Sequence, residues 1–401
     1  MRIPVFARRV ILAASVIAVH FSAMAQGNLT PPGAPGPTMK TLDQIEARIP
    51  ISATTTPGDG SDNFVISKPG SYYLTTNFIS SSGKGGIRIE TNNVTIDLNG
   101  FAVDGAGIGG QGIRIITSIH RQNIKVLNGT VCNWHSAGID LSFGQNTLLE
   151  KVLVAGNAGN GILTGENSVV RDCLAYTNAT LEFFLIGIAV GQGSIVENCA
   201  ANFNGNDGGN CTGISIGSGS TVSHCSASQN NGPNATGIST GPYCTVKDCV
   251  TSFATGTNGV GISLGSSSSA IHCNASGNSG AGTTGIVAGQ HSLVEECVAN
   301  FNGGDGIQAS DNSSLIGNKC DNNLNTGIHT TGQRNRIDGN AVVFNISGGI
   351  KVDSNLNLVV RNSATGSGGL NFVIAAGNND AERLSGGTAF TSTNPWANFS
   401  F

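Results

Sequence analysis

A glycine followed by an isoleucine recurs twelve times in register in this chain, from Ile87 to Ile350, at intervals of 21 to 26 residues, with one further pair, Gly107-Ile108, outside the series. A period of that length means that each repeat is one small structural unit, which buries its apolar side only by stacking on the next. Between the markers run short pieces such as "GISLG" (261–265) and "STVSHCSAS" (220–228), rich in β-branched residues, alternating with period two and carrying no helical stripe. Asn and Gly separate them. About three such strands per repeat make one coil of a parallel β-solenoid, with equivalent residues of successive coils stacked about 4.8 Å apart. The composition agrees: 58 glycines and only 11% charged residues would suggest disorder, but 39% of the chain is hydrophobic.

Stacking turns the repeat into columns. Cys173, Cys199, Cys225, Cys249, Cys273 and Cys297 share one site, continued by Asn318, Asn340 and Asn362 in one direction and by Val152, Asn128 and Asn99 in the other. Five residues later runs an asparagine column from Asn133 and Asn157 to Asn323 and Asn345. Five residues earlier runs a serine column, Ser168 to Ser292, interrupted by Cys244. Asparagine tolerates the left-handed turn conformation, and stacked amides hydrogen-bond from coil to coil. The cysteines are expected to be inward, reduced and packed as small hydrophobes, because stacked neighbours offer poor disulfide torsions and no Cys-x-x-Cys or histidine pair accompanies them. Bridges among the off-column residues Cys132, Cys211 and Cys244 remain open alternatives.

With "GSYYLTTNF" (70–78), "NVTIDLNGF" (93–101) and "NIKVLNGTV" (123–131), the repeat resembles the right-handed parallel β-helix family, which includes pectate-lyase-like enzymes and periplasmic copper-processing proteins. The resemblance spans roughly Phe64 to Ile374. It implies an all-β, right-handed parallel β-helix of about 12–13 coils. For activity it implies little, since the fold carries lyases, hydrolases and adhesins.

The ends read differently. Residues 1–25 have the form of an export signal: Arg2, Arg8 and Arg9, the apolar run "VILAASVIAV", then "AMA" with a cut expected after Ala25. A secreted or periplasmic protein with no membrane span follows from this. Cleavage would leave 17 basic against 24 acidic residues, a net −7 that argues against nucleic acid as partner. Residues 26–40 form a Pro/Gly linker. Residues 41–63 are expected to be a cap, with a helix over Thr41–Pro50 from the spacing of Leu42, Ile45 and Ile49. Residues 64–374 are the β-helix, and 375–401 a second cap in which Trp396, Phe399 and Phe401 plug the last coil. Nothing suggests more than a monomer.

Candidate chemistry is sparse. Turns after the asparagine column lengthen over five consecutive coils, Asn178 to Ile286, and the longest carries "LEFF". Glu182, Phe183, Phe184 and Asp207 are therefore candidate contacts for a sugar ligand, by ring stacking and by carboxylates on hydroxyls. The residues just before the cysteines place His224, Asp248 and His272 in a row, a candidate for a metal or for acid–base work; a solvated polar row is the simpler alternative. "GGDGI" (303–307) is a faint calcium motif, and calcium is the one cofactor to consider. "GIGGQG" (107–112) lacks the strand-to-helix context of a dinucleotide loop. No Asp-Asp pair, Gly-His-Gly or Arg-Ile-Lys occurs, and Lys and Arg are few within the repeats. The expected function is thus a binding or structural module directed at a polysaccharide or cell-surface glycan, the alternative a divergent polysaccharide lyase or glycoside hydrolase.

Overall fold

The computed structural model describes residues 47–401 apart from 82, 117–118, 180–183, 207, 255 and 387–391. Its described residues contain no helix, only short strands paired in parallel and wound into about 13 turns. This is a right-handed parallel β-helix. Most coils carry three strands, the coil of Ile286 having only an isolated bridge at Val298 in place of the third. The first begins at the Gly-Ile marker and stacks into a 14-stranded sheet running from Asp62–Ile66 to Phe372–Ile374. The second and third, such as Ile195–Glu197 and Ala200–Asn202, build the other faces. Ile87 pairs with Ile113, Ile113 with Ile139 and Ile139 with Ile162, all fully buried. The marker glycine is needed for close approach. A β-carbon at Gly187 would lie 2.7 Å from the Gly213 carbonyl and 2.8 Å from the Asn204 amide.

Three corners close each coil, and most use the same device, Ala254, Val152, Gly129 and Trp134 being inward residues without a small polar side chain. One residue takes positive φ and points outward; the next turns a small polar side chain inward, where it accepts the backbone N–H of the equivalent residue one coil earlier. Ser168 and Ser194 donate their N–H groups to the Oγ of Ser194 and Ser220, each at 3.0 Å. In the asparagine column, Asn178 donates to Asn204 Oδ1 at 3.1 Å and Asn302 to Asn323 Oδ1 at 3.0 Å. The cysteine column works alike: Cys199 N–H points at Cys225 Sγ (3.4 Å), and Cys297 N–H reaches Asn318 Oδ1 (2.9 Å). From there the ladder continues through Asn340 and Asn362 to Asn398.

All ten cysteines are free. Burial alone pushes the Cys211 thiol up to about 12; burial first, and the Asp321 charge second, raise the fully buried Cys320 well above its ordinary value.

Two column assignments shift by one residue. The inward site before Cys173 and Val152 is Gly129, while Asn128 and Asn99 are the outward, positive-φ residues of their corners. Asn133 likewise has φ 57, and Trp134 takes the inward site, donating its N–H to Asn157 Oδ1. In sequence the two positions are adjacent and asparagine suits both, so only the pairing register separates them.

The ends also differ from expectation. Of the helix expected over Thr41–Pro50, residues 41–46 lie outside the described residues, and Ile49–Pro50 is a strand paired with Tyr72–Tyr73. Strand addition satisfies the open backbone edge, which a helix does not. At the other end, Asn398–Ser400 enters between Ser363–Thr365 and Arg383–Ser385. Asn398 and Ala397 are buried, whereas Trp396 and Phe401 stay about half exposed, at 51% and 49%. The amide ladder runs on to Asn398, and the half-buried Phe399 ring stacks on Phe401 with centroids 6.3 Å apart. The long turns are likewise strand in part, since Phe184–Ile186 pairs with Asn210–Thr212 ahead of the Gly-Ile marker.

Two outcomes test this architecture. Asn302→Ala strips Asn278 of the acceptor for its N–H and orphans the Ala275 carbonyl, so unfolding in urea should show a loss of about 2 kcal/mol or more. The buried cysteines should label slowly in the native protein and completely after denaturation, with half-buried Cys132 reacting first.

Candidate functional site

The inward half of every corner is occupied with folding. Chemistry is therefore left to the outward half and to the outer faces of the strands. His224, Asp248 and His272 are outward corner residues, φ 53 in each, and they do stand in line on successive coils. His224 Nε2 lies 3.6 Å from Asp248, His272 Nδ1 3.5 Å from Asp248, and His272 Nε2 2.9 Å from Glu296. These are partly exposed histidine–carboxylate contacts strung along the axis, worth little each in water. Among the described residues, no group of three or more His, Cys, Asp or Glu side chains is arranged to hold a metal ion. The Asp305 carboxylate of "GGDGI" is engaged within the chain: it accepts from Asn325 Nδ2 (2.7 Å) and the Thr326 N–H (3.0 Å) and meets His329 Nδ1 (3.1 Å). Of the candidate sugar contacts, Glu182, Phe183 and Asp207 lie outside the described residues; Phe184 sits on a first-strand extension, 59% exposed.

Sequence reasoning passed over a second set, on the outer face of the first-strand sheet. His329 and Lys351 each follow a Gly-Ile marker and pair across the sheet. His329 Nε2 is 2.7 Å from Asp353, and Lys351 Nζ is 3.0 Å from the same carboxylate. The hydrogen bond to Asp305, and secondarily the one to Asp353, holds the imidazole above its ordinary pKa against the opposing effect of burial. His329 in turn holds Asp353 below the usual carboxylate value. Both ring nitrogens are thus committed to carboxylates, which ties three coils together. Near the N-terminal end, the fully buried Asp62 is clamped the same way by Arg88 Nη1 and Arg114 Nη2, each at 2.7 Å. The readable signal for both sets was the residue just after each marker isoleucine, a column not followed as such.

The third corner carries something different. Its outward residue is Phe203, Phe253, Phe301 or Phe344 on alternate coils, with φ between 53 and 57 and side chains 43–61% exposed. The coils between them present Gln229, Gly277 and Asn322. Tyr176 joins the end of this line, edge-on to Phe203 at 5.4 Å between centroids. Beside the rings runs a row of uncharged donors and acceptors on the outer face of the third strands. Asn202 Oδ1 accepts the Ser228 N–H (2.8 Å), Ser252 Oγ donates to Ser228 Oγ (3.0 Å), and Ser276 Oγ accepts the Asn300 N–H (3.2 Å). No charged residue lies in the third strands of Ala200–Asn202, Ser226–Ser228, Val250–Ser252 or Asn274–Ser276. Val250, Ser252, Phe253, Asn274, Gly277 and Phe301 are among the residues around an open, largely apolar concavity of about 410 Å³. Phenylalanines four residues past the column cysteines are visible in the sequence, but a lone Phe in a polar turn reads as packing until its exposure is known.

The chain is a right-handed parallel β-helix protein. Among solved structures it is similar to the A-module of the mannuronan C-5 epimerase AlgE4 of Azotobacter vinelandii, at 12% identity and TM-score 0.43, over 78% of this chain and 90% of that one. It is also similar to the AlgE6 A-module of the same organism (12% identity, TM-score 0.44, 83% and 90% coverage). A third likeness is to tailspike protein 3 of bacteriophage CBA120, at 11% identity and TM-score 0.39, over 98% of this chain and 72% of that one. No family model matches the sequence, and no curated protein does.

The charged cluster predicts a pH signature. With its folded pKa raised, His329 contributes stability that is full below the unfolded value of about 6.5 and fades as pH rises through the folded value. Asp353, lowered, contributes above 3.8 and loses that contribution as pH falls through its folded value. The thermal midpoint of His329→Gln should fall below that of the parent most at about pH 5.5, and the two should converge by about pH 9. A difference that stays flat over that range would remove the cluster from the account.

Proposed function

We propose that this protein is an exported glycan-binding β-helix, which holds a neutral, extended polysaccharide along its axis on the third-strand face. The observation that carries the reading is the set of four phenylalanines held outward at positive φ. Such a conformation costs a non-glycine residue about 1–2 kcal/mol, and an exposed ring forgoes the roughly 2 kcal/mol that burial contributes. The positive φ belongs to the corner itself, since Gln229, Gly277 and Asn322 adopt it too, but the exposed ring does not: those three residues make the same corner without one. Rings that a fold does not require, set in a line beside neutral hydroxyls and amides, match the apolar faces and hydroxyl edges of sugar rings. The four third strands from Ala200–Asn202 to Asn274–Ser276 carry no charge, and Lys319 beyond Phe301 is paired with Asp321, which favours a neutral ligand over an anionic one.

Affinity electrophoresis through gels containing neutral polysaccharides (xyloglucan, hydroxyethyl cellulose, mannan) tests this. The protein should be retarded by at least one of them, and Phe253→Asn/Phe301→Asn should run unretarded. Asparagine favours the left-handed region, so the double variant should melt no lower than the parent. A parent that migrates freely in every such gel would sink the reading. A variant that is still retarded would move the site to another face.

A further inference from the structure

The aromatic line is interrupted with a definite period. Residues at equivalent corner positions are separated by one strand spacing, about 4.8 Å, so rings on alternate coils repeat at about 9.6 Å. Backbone pairing verifies the alternation: Phe203 N–H donates to the Ser228 carbonyl, Gln229 to Ser252, Gly277 to Asn300, Phe301 to Asp321 and Phe344 to Thr365. In a chain of hexopyranoses linked equatorially at both ends, one unit advances the chain by close to one strand spacing. Successive rings also turn over, so a given face recurs every second unit. A platform on every second coil meets the same face each time, while the hydroxyl and amide row beside it meets the ring substituents of every unit.

The interruptions are not equivalent. At Gly366 the ring of Phe344 fills the space a side chain would take, 2.4 Å from where a β-carbon would sit. At Gly277 the nearest atom of Phe253 is 3.5 Å from that point, and the space beyond opens into the concavity between Phe253 and Phe301. Gly277 therefore floors a slot with a ring on either side, whereas the equivalent sites of Gln229 and Asn322 carry side chains. Resting on the glycan-binding reading above, we infer that the ligand is a glycan of disaccharide period, built from equatorially linked hexopyranoses, and that the slot between Phe253 and Phe301 over Gly277 is its primary subsite.

Titration calorimetry of the full chain with β-1,4-linked glucose and β-1,4-linked N-acetylglucosamine oligosaccharides of two to eight units reads the period directly. One of the two series should gain affinity in steps, about ten-fold for each added pair of units and little for the odd unit between. Gly277→Asn places at this corner the residue that Asn322 already supplies at its own, so the fold should be kept. It should lower affinity at every length at least ten-fold, with an unchanged thermal midpoint. Even gains for each single unit, or a Gly277→Asn variant that binds as the parent does, would overturn the period and the subsite while leaving glycan binding intact. Failure of every oligosaccharide to bind would overturn the inference too. Retardation in the polysaccharide gels would then decide whether glycan binding of another linkage survives.

Discussion

The structure depends on one hydrogen bond made again and again: the backbone N–H at each corner, donated to the inward side chain of the next coil. A solenoid bends its chain sharply three times per coil, and at each bend a strand residue leaves the ladder with a polar group facing the core. Leaving such a group unpaired costs about 1–3 kcal/mol. Ser, Asn and, in one column, Cys supply the missing acceptor. In the asparagine ladders the amide also donates back to a carbonyl, as Asn323 does to Ala299 at 2.8 Å. Cys173 to Cys297 fit this scheme as weak acceptors that are also small and apolar, which suits a corner packed against Ala175, Ala201 and their successors.

The same device divides labour between neighbouring residues. The inward one is constrained by volume and hydrogen bonding. The outward one is constrained only by φ, and it tolerates Asn, Asp, His, Lys, Glu and even Phe. Each corner therefore presents a free column along the axis. At the second corner that column is ionic, from Asp172 past His224 and His272 to Glu296; at the third it is aromatic. Stacking fixes the spacing of whatever is placed there to multiples of the strand separation, so a solenoid of this kind is suited to ligands that are themselves periodic.

Charges follow a different rule. Buried Asp62 and Asp338 are each held by two arginines from different positions along the axis, and His329 is held between two aspartates. Arg361 foremost keeps Asp338 below the usual carboxylate value. These clusters lie toward the two ends of the helix, while the middle of the first-strand sheet presents Ala189, Ser215, Ser239 and Ser263. Each such cluster adds cross-coil ion pairs to the stacking of the coils it joins.

Period, fold class, strand number per coil and the inward cysteine, serine and asparagine columns were all readable from the chain. They follow from repetition, and a repeat of fixed length leaves a β-solenoid little choice of where its buried positions fall. The one-residue shifts at Asn99, Asn128 and Asn133 were not readable, because asparagine satisfies both the outward φ and the inward hydrogen bond, and only cross-coil register separates the two. The fate of the ends was hidden for a similar reason: Ile49 and Phe399 carry hydrophobicity that suits a helix, a plug or an added strand equally, and the unpaired backbone of the neighbouring coil decides for the strand. The aromatic corner needed the tertiary structure most. The phenylalanines are in plain view in the sequence, but whether a ring at a bend points into the core or away from it is set by the sign of φ at one residue, and that sign is imposed by the coil above and the coil below.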